Sequence, residues 1–139
     1  MVKRVVLVQR IEKIEYHLKR ATLYSRFSFN EFIEDTTAQD IVEYNLFQAV
    51  NHLIAMIEHI VADEQYGFPQ TAYESAELLK AKKILSAKDL TLIRQMVGFR
   101  NIVGHEYIRL SKEIVYQILT KHLKDIRHLT GKIASRFLS

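Results

Sequence analysis

An all-α fold is predicted from three observations. The 139 residues hold four glycines and one proline, so the chain has few places to turn. Leu, Ile, Ala, Glu, Lys and Arg, all good or fair helix formers, are abundant. Apolar residues recur at three- and four-residue steps over long stretches instead of alternating, which is the period of a helix and not of a strand. The expected architecture is a bundle of about five helices, with an up-down core and a short hairpin.

The first helix is expected over residues 2–24, with Val5, Ile11, Ile14, Leu18 and Ala21 forming its apolar stripe. A polar connection, residues 25–30, leads to one helical turn at Glu31-Phe32-Ile33-Glu34, after which Thr36-Thr37 offers a hydroxyl cap. Residues 38–65 contain neither glycine nor proline, and Ile41, Val42, Leu46, Val50, Leu53, Ile54, Ile57 and Ile60 lie on one broad face. Such a helix spans about 42 Å and would be the spine of the bundle. Tyr66-Gly67-Phe68-Pro69 ends it, since glycine permits a left-handed turn and proline cannot continue the hydrogen-bond ladder.

A third long helix is expected over residues 71–83. Ser86, with Asp89 three residues on, then resembles a capping box in which Asp stands for Glu. The fourth helix starts at Ala87 and runs through Leu90, Ile93, Met96, Val97 and Phe99 to Arg100, its regularity becoming doubtful at Gly104. The last covers residues 112–137 after a Ser111 cap, with Ile114, Val115, Ile118, Leu119, Leu123 and Ile126 apolar. No linker, repeat or low-complexity stretch interrupts the pattern, so residues 1–139 are expected to form a single domain.

Composition narrows the function classes. With 48% hydrophobic and 26% charged residues the chain suits a globular domain. The absence of cysteine excludes a disulfide framework, a Cys-ligated zinc site and a thiol nucleophile. No run of eighteen apolar residues occurs, and the apolar stretch before Gln9 is too short for a signal peptide. A soluble, cytoplasmic protein with no membrane partner is therefore expected. Residues 1–70 carry 7 Lys/Arg against 10 Asp/Glu, whereas residues 71–139 carry 13 against 6. A basic half of this kind suits an anionic partner, RNA or DNA included, and equally suits a solvated surface.

Most of the chemical content lies in Arg100-Asn101-Ile102-Val103-Gly104-His105-Glu106-Tyr107. Arginine grips phosphate and stabilises charge building on phosphorus, and histidine exchanges protons near neutral pH, so the pair suits phosphodiester cleavage without a metal. On a regular helix Tyr107 returns to within about 20° of Arg100, while His105 sits about 140° round from it. His105 joins the other two only if Gly104 bends the chain, or if a second copy brings its own segment alongside at a two-fold axis. From spacing alone, a catalytic pair and a capping histidine beside a surface arginine both remain open.

The segment also resembles the Arg-four-residues-His-any-Tyr motif of HepT-like toxins, a branch of the HEPN superfamily of small helical ribonucleases, and Asn101 matches as well. The likeness continues in Tyr66-Gly67-Phe68-Pro69-Gln70-Thr71, the Leu78-Leu79 pair, Met96-Val97-Gly98-Phe99-Arg100-Asn101 and the stretch from Asn45 to Ile60, so it spans nearly the whole chain. The resemblance implies a dimeric, metal-independent endoribonuclease toxin of a type VII toxin–antitoxin pair. It also implies a composite active site between the two copies and a minimal, MntA-like nucleotidyltransferase as partner. Arg100 would hold the scissile phosphate of an RNA substrate, His105 would shuttle protons while the ribose 2′-hydroxyl attacks, Asn101 would support them, and Tyr107 would be adenylylated by the partner. No cofactor is implied. One departure stands out: Gly104 occupies the place before the histidine where the family pattern leads one to expect a larger apolar residue.

Other groups read more plainly. His52, His59 and Asp63 have helical spacing but no further partner to complete a metal site, and no metal is expected. His122, Asp125 and His128 read as a solvated face, and Tyr44 and Phe47 as core or dimer contacts. Lys80, Lys82, Lys83 and Lys88 flank the connection between the third and fourth long helices, either to guide RNA toward Arg100 or to keep an exposed hairpin soluble. The rival to the enzyme is a non-catalytic helical adaptor that binds a nucleotide or recruits the nucleotidyltransferase; a third reading is a plain nucleic-acid binder.

Overall fold

Helices make up the chain in the computed structural model, which describes residues 1–103 and 111–138, and no strand occurs among them. They are α1 (Arg4–Thr22), α2 (Phe29–Glu34), α3 (Thr36–Asp63), α4 (Ala72–Ala81), α5 (Ala87–Val103), α6 (Lys112–Gln117) and α7 (Leu123–Leu138). A π-helical turn, Ile118–His122, joins α6 to α7 without a break in helical backbone.

The 28-residue α3 is the spine. Its expected apolar face is real: Val42, Leu46, Val50, Leu53, Ile57 and Ile60 are all at most 2% exposed. Its start differs from expectation, because the cap is the Asp35 carboxylate, which accepts from the Ala38 N–H at 2.9 Å, and Thr36 and Thr37 are already helical. Asp35 also closes α2, whose own start is a reciprocal box between Ser28 and Glu31. That box lets α2 begin at Phe29 and drive Phe32 into the core, fully buried.

α1 packs along α3 through Leu7, Ile14, Leu18 and Ala21, each fully buried. Val5, expected in this stripe, is 59% exposed. Nine residues separate it from Ile14, a rotation that brings it to the opposite side of the helix, whereas Leu7 lies nearly in line with Ile14. The seam is not wholly apolar. His17 is buried and shares a 2.9 Å hydrogen bond with the Asn45 side-chain oxygen, and its ring stacks on His52 at 5.8 Å.

Two turns without glycine end α3 and α4. At the end of α3, Gln65 takes the left-handed conformation at φ 55°, the Tyr66 N–H reaches Val61 O at 3.0 Å, and the Gln65 N–H reaches Ala62 O at 3.2 Å. At the end of α4, Lys83 (φ 63°) repeats this, with the Ile84 N–H on Leu79 O. Both are Schellman closures that satisfy carbonyls a helix end would leave open. The left-handed residue at the end of α3 is therefore Gln65, where the sequence pointed to Gly67. Gly67 is needed for another reason: at φ +154° it passes so close to Leu78 that a Cβ would sit 2.9 Å from that side chain.

α5 starts at the expected box. The Ser86 N–H donates to Asp89 at 2.9 Å and the Asp89 N–H to the Ser86 hydroxyl at 3.1 Å. In the last helical stretch, Val115, Leu119 and Leu123 are buried at steps of four. Such steps drift by about 40° each on a regular α-helix, and the wider π turn across residues 118–122 absorbs that drift. Ile114, expected in the stripe, falls to its edge and is 47% exposed. Ser111 precedes α6 without a side-chain cap.

Candidate active site

The carboxyl end of α5 is a wall between two hollows. Ile93, Met96 and Phe99 face the core. Val97, Arg100 and Asn101, at the i, i+3, i+4 spacing that puts side chains on one face, turn to the other side. There they line a cleft of about 1410 Å³, closed opposite by the last two turns of α3, the strap 66–71 and the first turn of α4. Its strap side includes Gln65, Phe68, Pro69 and Gln70, and its α4 side Thr71 and Tyr73. Gly98 and Ile102 instead face a smaller, mostly apolar hollow of about 450 Å³ against α6 and the π turn.

Arg100 is half-buried and Asn101 exposed. Among the described residues no ion pair engages the Arg100 guanidinium. Its position in the last turn of α5 suits a cation, because carbonyl dipoles point that way. Among the sequence-derived site residues, then, Arg100 and Asn101 meet in one cleft. His105 and Tyr107, together with Gly104, lie outside the described residues.

The four lysines are elsewhere. Lys80, Lys82, Lys83 and Lys88 are all exposed, but Lys88 stands twelve residues before Arg100, about 18 Å along α5. The other three cluster at the same far end of the α4–α5 hairpin, where the Lys82 ammonium lies 5.2 Å from the centre of the Tyr66 ring. None of the four is among the residues that line the cleft.

Two histidine groups also resolve. His122 pairs with Asp125 at 2.9 Å on the surface, in keeping with a solvated face. His128 is also solvated, its side chain 52% exposed, but its Nε2 reaches inward to lie 3.1 Å from the buried Asp89 carboxylate. Asp89 also receives the Lys132 ammonium. Burial alone would raise its pKa, but Lys132, the Ser86 N–H, His128 and the Ser86 hydroxyl outweigh it and hold the carboxyl at about 2. His52 is lowered too, which for a histidine favours the neutral ring: burial first, then the charges of Arg10, His17 and Lys13, push its pKa below the ordinary value. Arg10 reaches its Nδ1 at 2.8 Å, which needs a neutral acceptor nitrogen. His59 stands 3.0 Å from Asp63, and no group of three metal-ligating side chains gathers among the described residues. Tyr44 is 58% exposed and so is not a core residue.

What sequence reasoning missed is the far wall of the cleft. Residues 66–71 read as the end of one helix and the approach to the next. The Schellman turn at Gln65 and the tight passage of Gly67 over Leu78 instead fold them back as a strap facing Arg100.

A helical bundle that carries an Arg-Asn pair in the last turn of one helix, open to a cleft and followed in sequence by a histidine and a tyrosine, has the architecture of HEPN-type ribonucleases. The model of the family described as "Ribonuclease HepT-like" matches residues 10–133, and the chain belongs to that family. It is 31% identical over 129 residues to the mRNA nuclease HepT of Shewanella oneidensis strain MR-1, covering 92% of this chain and 96% of that protein. Among solved structures it resembles the tri-AMPylated Shewanella oneidensis HEPN toxin in complex with MNT antitoxin, with a TM-score of 0.86 and 28% identity over 96% of this chain and 99% of that one. A toxin–antitoxin crystal structure with AMP-PNP matches with a TM-score of 0.86 and 27% identity over 95% of this chain and 99% of that one. Among the described residues no helix is long and apolar enough to cross a membrane.

Proposed function

We propose that this chain, acting over residues 1–139 as one domain, is a cytoplasmic endoribonuclease toxin that cuts RNA without a metal and is silenced by a nucleotidyltransferase antitoxin. The observation that carries the reading is the placement of Arg100 and Asn101 together in a large open cleft, in a chain of the HepT-like ribonuclease family. The relatives support the partner: one is an AMPylated toxin in complex with its antitoxin.

In this reading Arg100 grips the scissile phosphate by two parallel N–H donors and stabilises the charge that builds on phosphorus. The ribose 2′-hydroxyl oxygen attacks that phosphorus, the bond to the 5′-oxygen breaks, and the products are a 2′,3′-cyclic phosphate and a 5′-hydroxyl. One proton must leave the attacking hydroxyl and one must reach the departing oxygen. His105 handles these transfers, and a copy from each subunit of a two-fold dimer divides the roles of base and acid. Asn101 steadies the phosphate or the neighbouring side chain. Lys80, Lys82, Lys83 and Lys88 act at a distance, as a basic track for RNA approaching the cleft.

The test is cleavage of single-stranded RNA in excess EDTA. The reading requires cutting by the wild-type protein with cyclic phosphate ends, and its loss in His105→Ala with the fold retained. No cleavage by either form, together with binding of the nucleotidyltransferase, would favour the adaptor reading instead.

A further inference from the structure

Phe68 is 96% exposed, the most exposed aromatic side chain among the described residues, and it lines the same cleft as Arg100 and Asn101. An exposed phenylalanine on a loose loop would cost little to fold away. This one is held out by its backbone. On one side Gly67 is wedged over Leu78 at φ +154°. On the other, Pro69 fixes its own backbone and restricts Phe68 to an extended conformation. The strap then ends in the cap of α4, where the Gln70 N–H donates to the Glu74 carboxylate and the Glu74 N–H to the Thr71 hydroxyl.

The other aromatic ring on the cleft wall is already engaged: the Arg94 guanidinium covers Tyr73 at 4.5 Å. Among the described residues, then, nothing stacks on Phe68 and no ion pair engages Arg100, and the ring and the guanidinium line one cleft. A flat apolar ring beside a cation that suits phosphate is the pairing by which proteins hold single-stranded nucleic acid, with bases stacking and the backbone neutralised. A duplex, whose bases are already stacked, gains nothing from the ring.

Building on the ribonuclease reading, we propose that Phe68 is a stacking platform for an unpaired base next to the phosphate held by Arg100, so that the cleft selects single-stranded RNA. The stacked base positions the strand and takes no part in bond breaking. Any of the four bases fits, purines better for their larger faces.

The chain contains no tryptophan, so Phe68→Trp introduces a single indole, which can be excited apart from the tyrosines, at the platform. The probe is a mixed-sequence single strand of 2′-O-methyl RNA, which lacks the attacking hydroxyl and cannot be cut. Indole fluorescence should be quenched on titrating the strand and not on titrating the matching duplex. Phe68→Leu and Phe68→Ala should each weaken strand binding about tenfold, while Phe68→Trp should match the wild type. In cleavage of natural RNA the same loss should appear in KM, with kcat within about twofold. Unquenched fluorescence at saturating strand overturns the proposal, and so does Phe68→Leu binding like the wild type, since apolar bulk alone would then suffice. A change of oligomeric state in Phe68→Ala, seen by sedimentation, also overturns it and makes the ring a contact between copies. Ring-dependent binding with no cleavage by the wild type would sink the ribonuclease reading and leave the platform standing. Cleavage that ignores Phe68 would do the reverse.

Discussion

Lys132 on α7 pairs with Asp89 in the first turn of α5, and so ties the start of the helix that carries Arg100 to the last helix of the bundle. Asp89 is 2% exposed and its two oxygens are shared among Lys132, His128 and the Ser86 N–H. A buried carboxylate so satisfied is stabilising only while it is ionised and its partners are in place.

Acid should therefore loosen this joint. With a folded pKa of about 2 against an ordinary 3.8, Asp89 contributes stability that is complete above about pH 4 and is lost as the pH falls toward 2. The shift corresponds to about 2 kcal/mol. Denaturant unfolding between pH 2 and 5 should show a slope that Asp89→Asn removes, and at pH 7 that variant should be destabilised by about 2 kcal/mol or more, because Lys132 loses its anionic partner and one of the two acceptor oxygens becomes an NH2 donor.

His52 should act in a separate, milder window. Its folded pKa is lowered by burial and by Arg10, His17 and Lys13, so the unfolded chain takes up a proton that the folded chain refuses. Stability is then unaffected above the ordinary histidine pKa and declines as the pH drops below it. Melting temperature followed from pH 7.5 to 5 should fall, and His52→Gln should flatten the decline. An unchanged slope would place the sensitivity in another group.

These two groups also mark how far the sequence could be read. The Ser86–Asp89 box and the apolar face of α3 were legible because each depends on residues a few positions apart. The wider attachments of Asp89 were not: His128 and Lys132 lie 39 and 43 residues away, and only packing brings them in. The same distinction holds at the site. Arg100 and Asn101 were visible as neighbours on one helix face, whereas the strap opposite them depends on Gln65 adopting a left-handed turn that local propensity would assign to glycine. The shift of Ile114 to the edge of its stripe has a similar cause, since a π turn changes the helical period that the reading assumed.

Gly67→Ala should damage the strap more than the bundle. The new methyl group would meet Leu78 at 2.9 Å on a backbone of φ +154°, a conformation costing a residue with a Cβ about 1 to 3 kcal/mol. Relief by displacement would move the wall facing Arg100. Calorimetry should show that modest loss, and RNA cleavage should show a raised KM out of proportion to it.

Arg100→Lys should separate grip from charge. Lysine keeps the cation but not the planar pair of donors, so kcat/KM for RNA should fall by about a hundredfold or more. Because no described ion pair engages Arg100, its melting temperature should hardly move. A variant cutting at the wild-type rate would mean that the phosphate is held elsewhere.

The off-switch can be tested on Tyr107. In adenylylation its phenolic oxygen would attack the α-phosphorus of ATP and release pyrophosphate, leaving AMP esterified to the ring. That places an anion close in sequence to Arg100, which on the proposed reading neutralises the grip and blocks the cleft to RNA. With α-labelled ATP and the nucleotidyltransferase partner, label should enter the wild-type chain and cleavage should fall in step, whereas Tyr107→Phe should take up none. A Tyr107→Phe protein that still cuts RNA but can no longer be silenced would complete the case; label undiminished in that variant would move the modification to another residue and, with it, the explanation of the switch.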